Sequence, residues 1–216
     1  MEREYLELAD WRRQIAALYA QVRDLATADP IAAWTHWRAV REWLYREHPQ
    51  SPVPALERAA FQARHFPYDP ALRFETVVIP PSDGPVAASA DRDGDALAIP
   101  TSGGGSMDFR RIGWVEAPFP GGPHRLALSW LAGYAGGLFL SFRDATGGAE
   151  TYGGGRYLLD AAKSADLGGD PARRTMILDF NFAYQPSCAF DPRWVCPLVP
   201  PENRLDFPLR AGERIV

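Results

Sequence analysis

Glycine is distributed very unevenly along this chain of 216 residues, and its distribution constrains the fold more than any other sequence feature. All 19 glycines lie at or after Gly84, so the part of the chain before that residue contains none. Because glycine weakens a helix interior by about 1 kcal/mol relative to alanine, a long glycine-free stretch is compatible with helices. We therefore predict a helical front followed by a different kind of structure.

The apolar residues of the front recur at steps of three and four residues, which places them on one helix face. The first such set predicts a helix from about Glu2 to Ala26 and consists of Leu8, Trp11, Ile15, Leu18, Val22 and Leu25. Asp29 followed by Pro30 indicates the N-cap and first turn of a second helix that ends at His48. Its stripe contains Trp34, Trp37, Arg41 and Leu44. A third, shorter helix is predicted from about Val53 to Arg64.

From Leu72 onward, short alternating runs are separated by Gly, Pro, Asp and Ser, which is typical of antiparallel sheet. The candidate strands are Arg73 to Ile79, Phe109 to Glu116, Arg125 to Leu131, Leu138 to Phe142, Thr175 to Phe182 and Leu205 to Arg210. We predict an α+β fold in which two or three N-terminal helices precede a mainly antiparallel β-sandwich or partly open β-barrel. The predicted division is a helical segment, residues 1–66, packed on or beside a β-rich domain, residues 67–216.

The charge balance argues against two classes of partner. A net charge of −4 and a pI near 5.6 give no general excess of positive charge, so we expect no nucleic acid partner. The uncharged run from Leu126 to Phe142 is short for a membrane span and contains three glycines, which favours a hairpin. We expect no membrane partner. The charged start of the chain lacks the features of a secretory signal and predicts a cytoplasmic location.

No pattern in the sequence indicates a metal or cofactor. The segment DRDGD, from Asp91 to Asp95, resembles a calcium loop, but its glycine is misplaced and no closing glutamate follows, so a surface turn is favoured. His36, His48 and His65 do not have metal-ligand spacing. We therefore expect no metal and no cofactor. The only lysine, Lys163, stands against 22 arginines, which we interpret as a bias of composition.

Four tryptophans form an aromatic stripe on the predicted helices, at Trp11, Trp34, Trp37 and Trp43. Such a stripe could bind a ligand, but large aromatic residues at helical spacing more often pack in a core or an interface. We interpret it as packing. A seam of this kind could also mediate a homodimer through the helices.

The segment from Arg143 to Asn203 contains an unusual density of residues with special backbone or hydrogen-bonding demands. Gly153, Gly154 and Gly155 permit positive φ and close approach of the backbone. Arg156 follows them with a fork of donors that suits a carboxylate or phosphate. It could equally form a buried salt bridge, with Asp144, Glu150, Asp160 or Asp179 as its partner.

Asp179 and Asn181 alternate with apolar residues, so on a strand they would share one face. Tyr184 would join them if the strand continued. Such a row would line a pocket, and burial could raise the pKa of Asp179 toward neutrality for general acid or base chemistry. Tyr184 or Cys188 would then assist in catalysis. Five prolines follow and indicate a long ordered loop.

Cys188 and Cys196 are the only cysteines and lie on this loop. A disulfide, part of a metal site, a nucleophile and two inert thiols all remain open. Two sulfurs cannot close a structural zinc site, which needs four ligands. A nucleophilic cysteine would need a nearby histidine or positive field, and no histidine follows the pair.

Several segments of the second half resemble an uncharacterised bacterial family known only as a domain of unknown function. They are TYGGGRYLLD, DFNFAYQPSCAF, CPLVPPEN and AGER, against family patterns that read approximately TYGGGRYL, DFN-AYNPSCAY, CPLPPxEN and AGEK. Gln185 stands where asparagine is usual, and Phe190 where tyrosine is usual. The resemblance implies family features at Thr151 to Arg156, Asp179, Asn181, Tyr184, Cys188, Cys196 and Asn203. It implies no reaction.

Three hypotheses follow. The favoured one is a module that binds a small polar ligand, anionic or sugar-like, through Arg143, Thr151, Tyr152, Gly153, Gly154, Arg156, Asn181 and Asn203. The second is a hydrolase-type enzyme in which Asp179 acts with Tyr184 or Cys188. The third is a structural or interaction protein whose motifs hold the proline-rich loop across the sheet.

Overall fold

A computed structural model describes residues 2–81 and 96–215, so the turn predicted at Asp91 to Asp95 lies outside the described residues. Two helices open the chain, α1 (Glu2–Ala26) and α2 (Pro30–Glu47), as the apolar spacing predicts. The Asp29 side chain caps α2 by accepting hydrogen bonds from the backbone N–H groups of Ile31 and Ala32, both at 2.9 Å. A capping carboxylate satisfies donors that have no partner in the first helical turn.

The predicted third helix is wrong. The segment contains one 3₁₀ turn, Arg58–Ala60, and then a two-residue strand, β1 (Arg64–His65). The Arg58 guanidinium donates to carbonyl oxygens of the preceding loop, those of His48, Pro49, Ser51 and Val53. Only the carbonyl group of Val53 belongs to the predicted helix, so these hydrogen bonds hold the loop that precedes the 3₁₀ turn.

The rest of the described chain contains nine further strands, which pair antiparallel and are joined by loops and 3₁₀ turns. They are β2 (Arg73–Ile79), β3 (Ala96–Pro100), β4 (Ser106–Phe119), β5 (Gly122–Leu131), β6 (Gly137–Phe142), β7 (Arg156–Asp160), β8 (Gly169–Asp170), β9 (Thr175–Asp179) and β10 (Glu213–Arg214). Eight of them build one sheet in the order β7-β6-β5-β4-β2-β9-β8, with β3 paired beside β2 on the same edge of β4. β1 pairs with β10.

The sheet curls into a half-barrel, which confirms the α+β class and the partly open barrel among the predicted alternatives. The long strand β4 contains a bulge between Arg111 and Gly113 in its pairing with β5. A Cβ atom at Gly113 would lie 2.6 Å from the carbonyl oxygen of Ile79 on β2. Glycine is therefore required where β2 approaches the bulge, and a bulge increases local twist and bending.

Some strand boundaries differ from the predictions. β9 ends at Asp179, because the Asp179 carboxylate caps a 3₁₀ turn over Phe180–Phe182. The predicted strand from Leu205 to Arg210 is absent; there the backbone N–H and C=O of Leu209 bond the side chains of Asp144 and Arg156. The predictions did not include the short strands β1, β8 and β10, nor the longer strands β3 and β7. The five residues of β7 are all buried and lack the alternation that marks a half-exposed strand.

Residues of the helices and of the sheet form a shared apolar core, which therefore extends over both sides of the boundary predicted at residue 66. Trp11, Trp34 and Trp37 are buried in it, and the Trp34 indole donates to the carbonyl oxygen of Asn181 at 2.9 Å. This confirms the packing interpretation for Trp34 and Trp37, whereas Trp11 is buried in the same core and also lines a cavity described below. Trp43 is 52% exposed, and a homodimer through the helices stays a prediction. No described helix is both long enough and apolar enough to span a membrane.

Candidate functional site

Arg156, at the start of β7, is fully buried and lies at the centre of a closed network. Its guanidinium donates to Asp144 Oδ2 at 2.7 Å and to the carbonyl oxygens of Leu209, Ala211 and Glu213. These contacts fasten the C-terminal segment to the sheet. Of the two roles open from sequence, Arg156 has the buried salt bridge, and its partner is Asp144.

Asp144 and two threonines complete this network, and we call Arg156, Asp144, Thr146 and Thr151 the Arg156 cluster. Asp144 Oδ1 accepts from the Thr146 hydroxyl at 2.6 Å, which in turn lies 2.9 Å from the Thr151 hydroxyl. Burial alone would raise the pKa of Asp144, but Arg156 and the Thr146 hydrogen bonds outweigh it and lower that pKa. All four side chains find partners inside the molecule, although Arg156 Nε itself has none among the described residues.

The three glycines after Tyr152 form the turn that leads into β7. Gly155 has φ +94°, and a Cβ atom there would lie 2.6 Å from the carbonyl oxygen of Phe142, so the position requires glycine. A Cβ atom at Gly154 would meet the Tyr152 ring at 2.4 Å, whereas one at Gly153 would stay 3.7 Å from its nearest neighbour. The glycine-rich motif is therefore explained chiefly by the path of the backbone at Gly155.

Asn203 is buried and bridges two strands that diverge. Its amide donates to the carbonyl oxygens of Ala127 on β5 at 3.0 Å and Ser141 on β6 at 2.8 Å. Its Oδ1 accepts from the backbone N–H of Ala127 at 2.6 Å. Direct pairing of β5 and β6 covers only residues 129–131 and 137–139, so Asn203 supplies hydrogen bonds beyond the point where the ladder ends.

Asp179 and Asn181 meet, although not by strand alternation. Asp179 Oδ1 accepts from the backbone and side-chain N–H groups of Asn181 at 3.0 and 2.8 Å, and Oδ2 accepts from Tyr68 and Arg73. The Asn181 amide exchanges hydrogen bonds with the backbone of Asp69 at 2.8 Å. Burial raises the pKa of Asp179, while its hydrogen bonds to Asn181 oppose that change.

Tyr184 does not share a face with Asp179 and Asn181, because the strand ends at Asp179. It is fully buried, and its hydroxyl donates to Asp160 Oδ2 at 2.7 Å. Its backbone pairs with Tyr157. The predicted row of carboxylate, carboxamide and phenol is therefore wrong, and the Tyr184 hydroxyl faces β7.

The sequence-predicted ligand residues thus fall into separate hydrogen-bonded groups. Arg156 and Asn181 share no hydrogen-bond partner in the described part of the chain. Arg143 is exposed, and its backbone rather than its side chain bonds the segment around Asn203. None of the residues in the Arg156 cluster lines the cavity described next.

A cavity of about 300 Å³ opens where α1 covers the half-barrel, and we call it the mouth cavity. Its apolar walls come from α1, from β4 to β7 and from the proline-rich loop, and include Leu8, Trp11, Met107, Phe109, Leu131, Phe139 and Trp194. Its polar rim consists of Arg12, Gln50, Asp160, Lys163, Ser187 and Cys196. Enclosed apolar walls with a few convergent polar groups are the usual form of a small-molecule site.

Lys163 and Ser187 meet at this rim. The Lys163 ammonium donates to Ser187 Oγ at 3.0 Å and lies 5.1 Å from the centre of the Tyr184 ring. Burial lowers the pKa of Lys163, and Asp160 opposes that change. Lys163 forms no ion pair within residues 2–81 and 96–215. Sequence reasoning missed both residues; the one available signal was that the chain contains a single lysine.

Cys188 and Cys196 are both free thiols, and their side chains are in hydrogen-bonding contact. Cys188 lies next to Ser187 in a 3₁₀ turn, Ser187–Ala189, and its sulfur is 3.8 Å from the Tyr152 hydroxyl. The hydrogen bond from Cys196 lowers the pKa of Cys188 to about 6, with burial opposing it. The same hydrogen bond raises the pKa of Cys196.

A second buried ion pair joins α2 to the C-terminal strand. Arg41 Nε donates to Glu213 Oε1 at 2.5 Å, and its guanidinium stacks 4.4 Å from the centre of the Tyr184 ring. The sequence signal for this pair was an arginine within the apolar stripe of α2. In the part of the chain that the structure describes, no three His, Cys, Asp or Glu side chains group closely enough to hold a metal ion.

Comparisons with known proteins identify the family. The family model described as "Protein of unknown function (DUF1684)" matches residues 60–214. The chain belongs to this family. The DUF1684 region contains the sheet, the thiols and Lys163, whereas Leu8, Trp11 and Arg12 of the mouth cavity come from α1, which precedes it. No curated protein sequence matches the chain.

A solved structure supports the fold of this DUF1684 protein. It is the solution NMR structure of an uncharacterized protein of Haloarcula marismortui, which is 29% identical in sequence. The match covers 89% of this chain and 97% of that protein, with a TM-score of 0.59. It therefore extends beyond the family region and includes much of the helical front.

Proposed function

We propose that this DUF1684 protein binds a small, largely apolar molecule with one carboxylate in the mouth cavity. The observation that carries the proposal is the Lys163 ammonium, which borders an apolar cavity and is hydrogen-bonded to Ser187 but paired with no carboxylate in the described chain. Lys163 is partly buried, and a charge that is removed even in part from water is costly unless it is paired. A ligand carboxylate would supply the missing partner.

Two other donors at the cavity support an anionic ligand. Arg12 is exposed at the rim, and the Trp194 indole N–H is buried without a hydrogen-bond partner among the described residues. The one rim carboxylate, Asp160, already accepts hydrogen bonds from Tyr184 and from the backbone N–H of Ala162. The cavity thus has more donors than acceptors to offer.

The apolar walls favour a ligand body that is apolar rather than sugar-like. An apolar ligand that covers these wall residues binds with a favourable free energy of roughly 25 cal/mol for each Å² of apolar surface removed from water. Unmatched ligand hydroxyl groups would lose hydrogen bonds to water there. The volume of about 300 Å³ lies at the lower end for small-molecule sites, so the ligand is small.

The test compares three compounds with the same apolar body, phenylpropionate, phenylpropanol and phenylpropylamine, by thermal unfolding and isothermal titration. We expect the carboxylate alone to bind, and to raise the melting temperature by about 3 °C at tenfold its dissociation constant. Lys163→Met keeps the apolar stem and should abolish this shift. Arg13→Met changes an exposed arginine of α1 outside the cavity lining and should leave it intact.

The proposal fails if the alcohol or the amine binds as well as the carboxylate. It also fails if phenylpropionate stabilises Lys163→Met as strongly as the unaltered protein. Binding that disappears in both methionine variants would show a general effect of positive charge rather than a site.

A second candidate function, an acyl hydrolase, is favoured by the 3.0 Å contact between Lys163 Nζ and Ser187 Oγ. A neutral Lys163 would accept the Ser187 proton as Oγ attacks the ester carbonyl carbon, and would pass that proton to the departing alcohol. Water would then hydrolyse the acyl-serine. Asp179 is a poorer candidate, because its carboxylate is fully buried and held by four donors.

A fluorophosphonate probe distinguishes the two candidates, since it modifies activated serine hydroxyl groups. Modification of Ser187 that is lost in Lys163→Met would establish the hydrolase. Phenylpropionate binding together with an unmodified Ser187 would establish the binding protein.

A further inference from the structure

The thiols of Cys188 and Cys196 are brought together by two separately fixed segments. Cys188 lies on the 3₁₀ turn after Pro186, and Cys196 lies on the later part of the proline-rich loop. The backbone of Cys196 exchanges hydrogen bonds with Ser102, donating to its Oγ at 3.0 Å and accepting from its N–H at 2.9 Å. The position of the second thiol is therefore set by the loop after β3, independently of the first.

The two thiols are not equivalent. Cys188 is the acceptor of the hydrogen bond from the Cys196 thiol, and its sulfur lies 3.8 Å from the Tyr152 hydroxyl; both contacts lower the pKa of Cys188 and favour its thiolate. Cys196 is the donor and keeps its proton. The Cys188 sulfur is thus prepared to attack first, and the Cys196 sulfur to attack Cys188 in a second step.

The two thiols also differ in their exposure to solvent, and this difference again favours Cys188 as the attacking group. Cys188 is partly exposed, whereas Cys196 is buried and its exposed edge faces the mouth cavity. An oxidant that approaches from outside the mouth cavity therefore meets the Cys188 sulfur first. This is the arrangement of an attacking cysteine with a resolving cysteine behind it.

We propose that Cys188 and Cys196 form a thiol–disulfide exchange site that reduces small disulfides. The Cys188 thiolate attacks one sulfur of the disulfide RSSR, its S–S bond breaks, and one RS⁻ leaves and takes a proton from water. Cys196 gives its proton to water and attacks the Cys188 sulfur, which releases the second RS⁻. Two protein thiols thus supply two electrons, and the small disulfide becomes two thiols.

The test treats the fully reduced protein with glutathione disulfide, followed by acid quenching and mass spectrometry. The unaltered protein should lose two hydrogens and form the Cys188–Cys196 disulfide. Cys196→Ser should stop at a stable glutathione adduct on Cys188. Cys188→Ser should react at least about tenfold more slowly, because the remaining thiol is a buried donor.

Equal rates for the two serine variants would overturn the proposal, as would accumulation of a glutathione adduct in the unaltered protein without closure. The rate of iodoacetamide labelling of Cys188 in the unaltered protein provides a check that needs no variant. Its dependence on pH should have a midpoint near 6. A midpoint at about 8.5, the value of an ordinary thiol, would overturn the assignment of Cys188 as the attacking group.

Discussion

The Arg156 cluster and the rim of the mouth cavity are both polar groups in apolar surroundings, but they differ in whether the cation is paired with a carboxylate of the described chain. In the Arg156 cluster, a guanidinium, a carboxylate and two hydroxyl groups pair with one another and with backbone carbonyl groups. At the rim, Lys163 has a hydroxyl partner but no carboxylate among the described residues.

This difference separates structural polar residues from candidate functional ones. In the Arg156 cluster the buried cation has a buried carboxylate partner, and only Arg156 Nε lacks a hydrogen-bond partner in the described chain. A buried ion pair of this kind holds chain segments in place. A charge or thiol with spare hydrogen-bonding capacity beside a cavity can bind or react. The unusual motifs in the second half of the chain contain structural polar residues, namely Arg156, Asp179, Asn181 and Asn203.

The largest effect should come from breaking the Arg156 cluster. Arg156→Met would leave Asp144 buried without its cation, and we expect the free energy of unfolding in urea to fall by about 3 to 5 kcal/mol. Arg143→Met is the matched control, since Arg143 is exposed and close in sequence, and it should change that free energy by at most about 0.5 kcal/mol. Similar losses of unfolding free energy in the two variants would contradict the structural role of Arg156.

An intermediate effect should come from His65, which is buried between α2 and the sheet without a hydrogen-bond partner for either ring nitrogen in the described chain. Burial lowers its pKa to about 4, with Glu213 opposing that change. Between pH 6.5 and 4 the unfolded chain therefore binds a proton that the folded protein does not, so stability falls as the pH falls. The loss over this window should approach about 3 kcal/mol.

His65→Phe should remove most of this slope while retaining ring contacts with Trp34 and Trp37. Urea unfolding at several pH values measures it. The carboxylates of Asp144 and Glu213, whose pKa values are lowered, lose their contribution at lower pH than His65 does. A slope between pH 6.5 and 4 that is unchanged in His65→Phe would show that other groups govern acid stability.

The fold was predictable to the extent that local pattern decides it. Glycine placement and apolar spacing predicted α1, α2 and most strands of an antiparallel sheet. The hydrogen-bond partners of the buried polar side chains could not be predicted from local pattern, because they are distant in sequence. Tyr68 and Asp179 are 111 residues apart, and Arg41 and Glu213 are 172 residues apart. The third predicted helix is a single 3₁₀ turn, and the spacing of apolar residues did not distinguish the two.

The candidate site was predictable only in part. The sequence indicated Cys188 as a possible nucleophile, but it left open whether Cys188 and Cys196 interact with each other. Lys163 and Ser187 carry no motif, and the single lysine was attributed to composition. Only the folded chain shows that Lys163 lies beside an apolar cavity, because the walls of that cavity come from α1, four strands and a loop that are distant in sequence.

The smallest effect, and the sharpest test of the comparison, is expected for Lys163→Met. Methionine keeps the apolar stem and removes a desolvated charge, so the loss of the Ser187 hydrogen bond should be offset. We expect the free energy of unfolding at neutral pH to stay within about 1 kcal/mol of the unaltered protein, on the stabilising side. Because burial lowers the pKa of Lys163, the unaltered protein gains stability as pH rises toward 10.5, and any advantage of the variant should shrink there. A loss as large as that of Arg156→Met would place Lys163 among the structural residues and remove the reason to regard the cavity rim as a binding site.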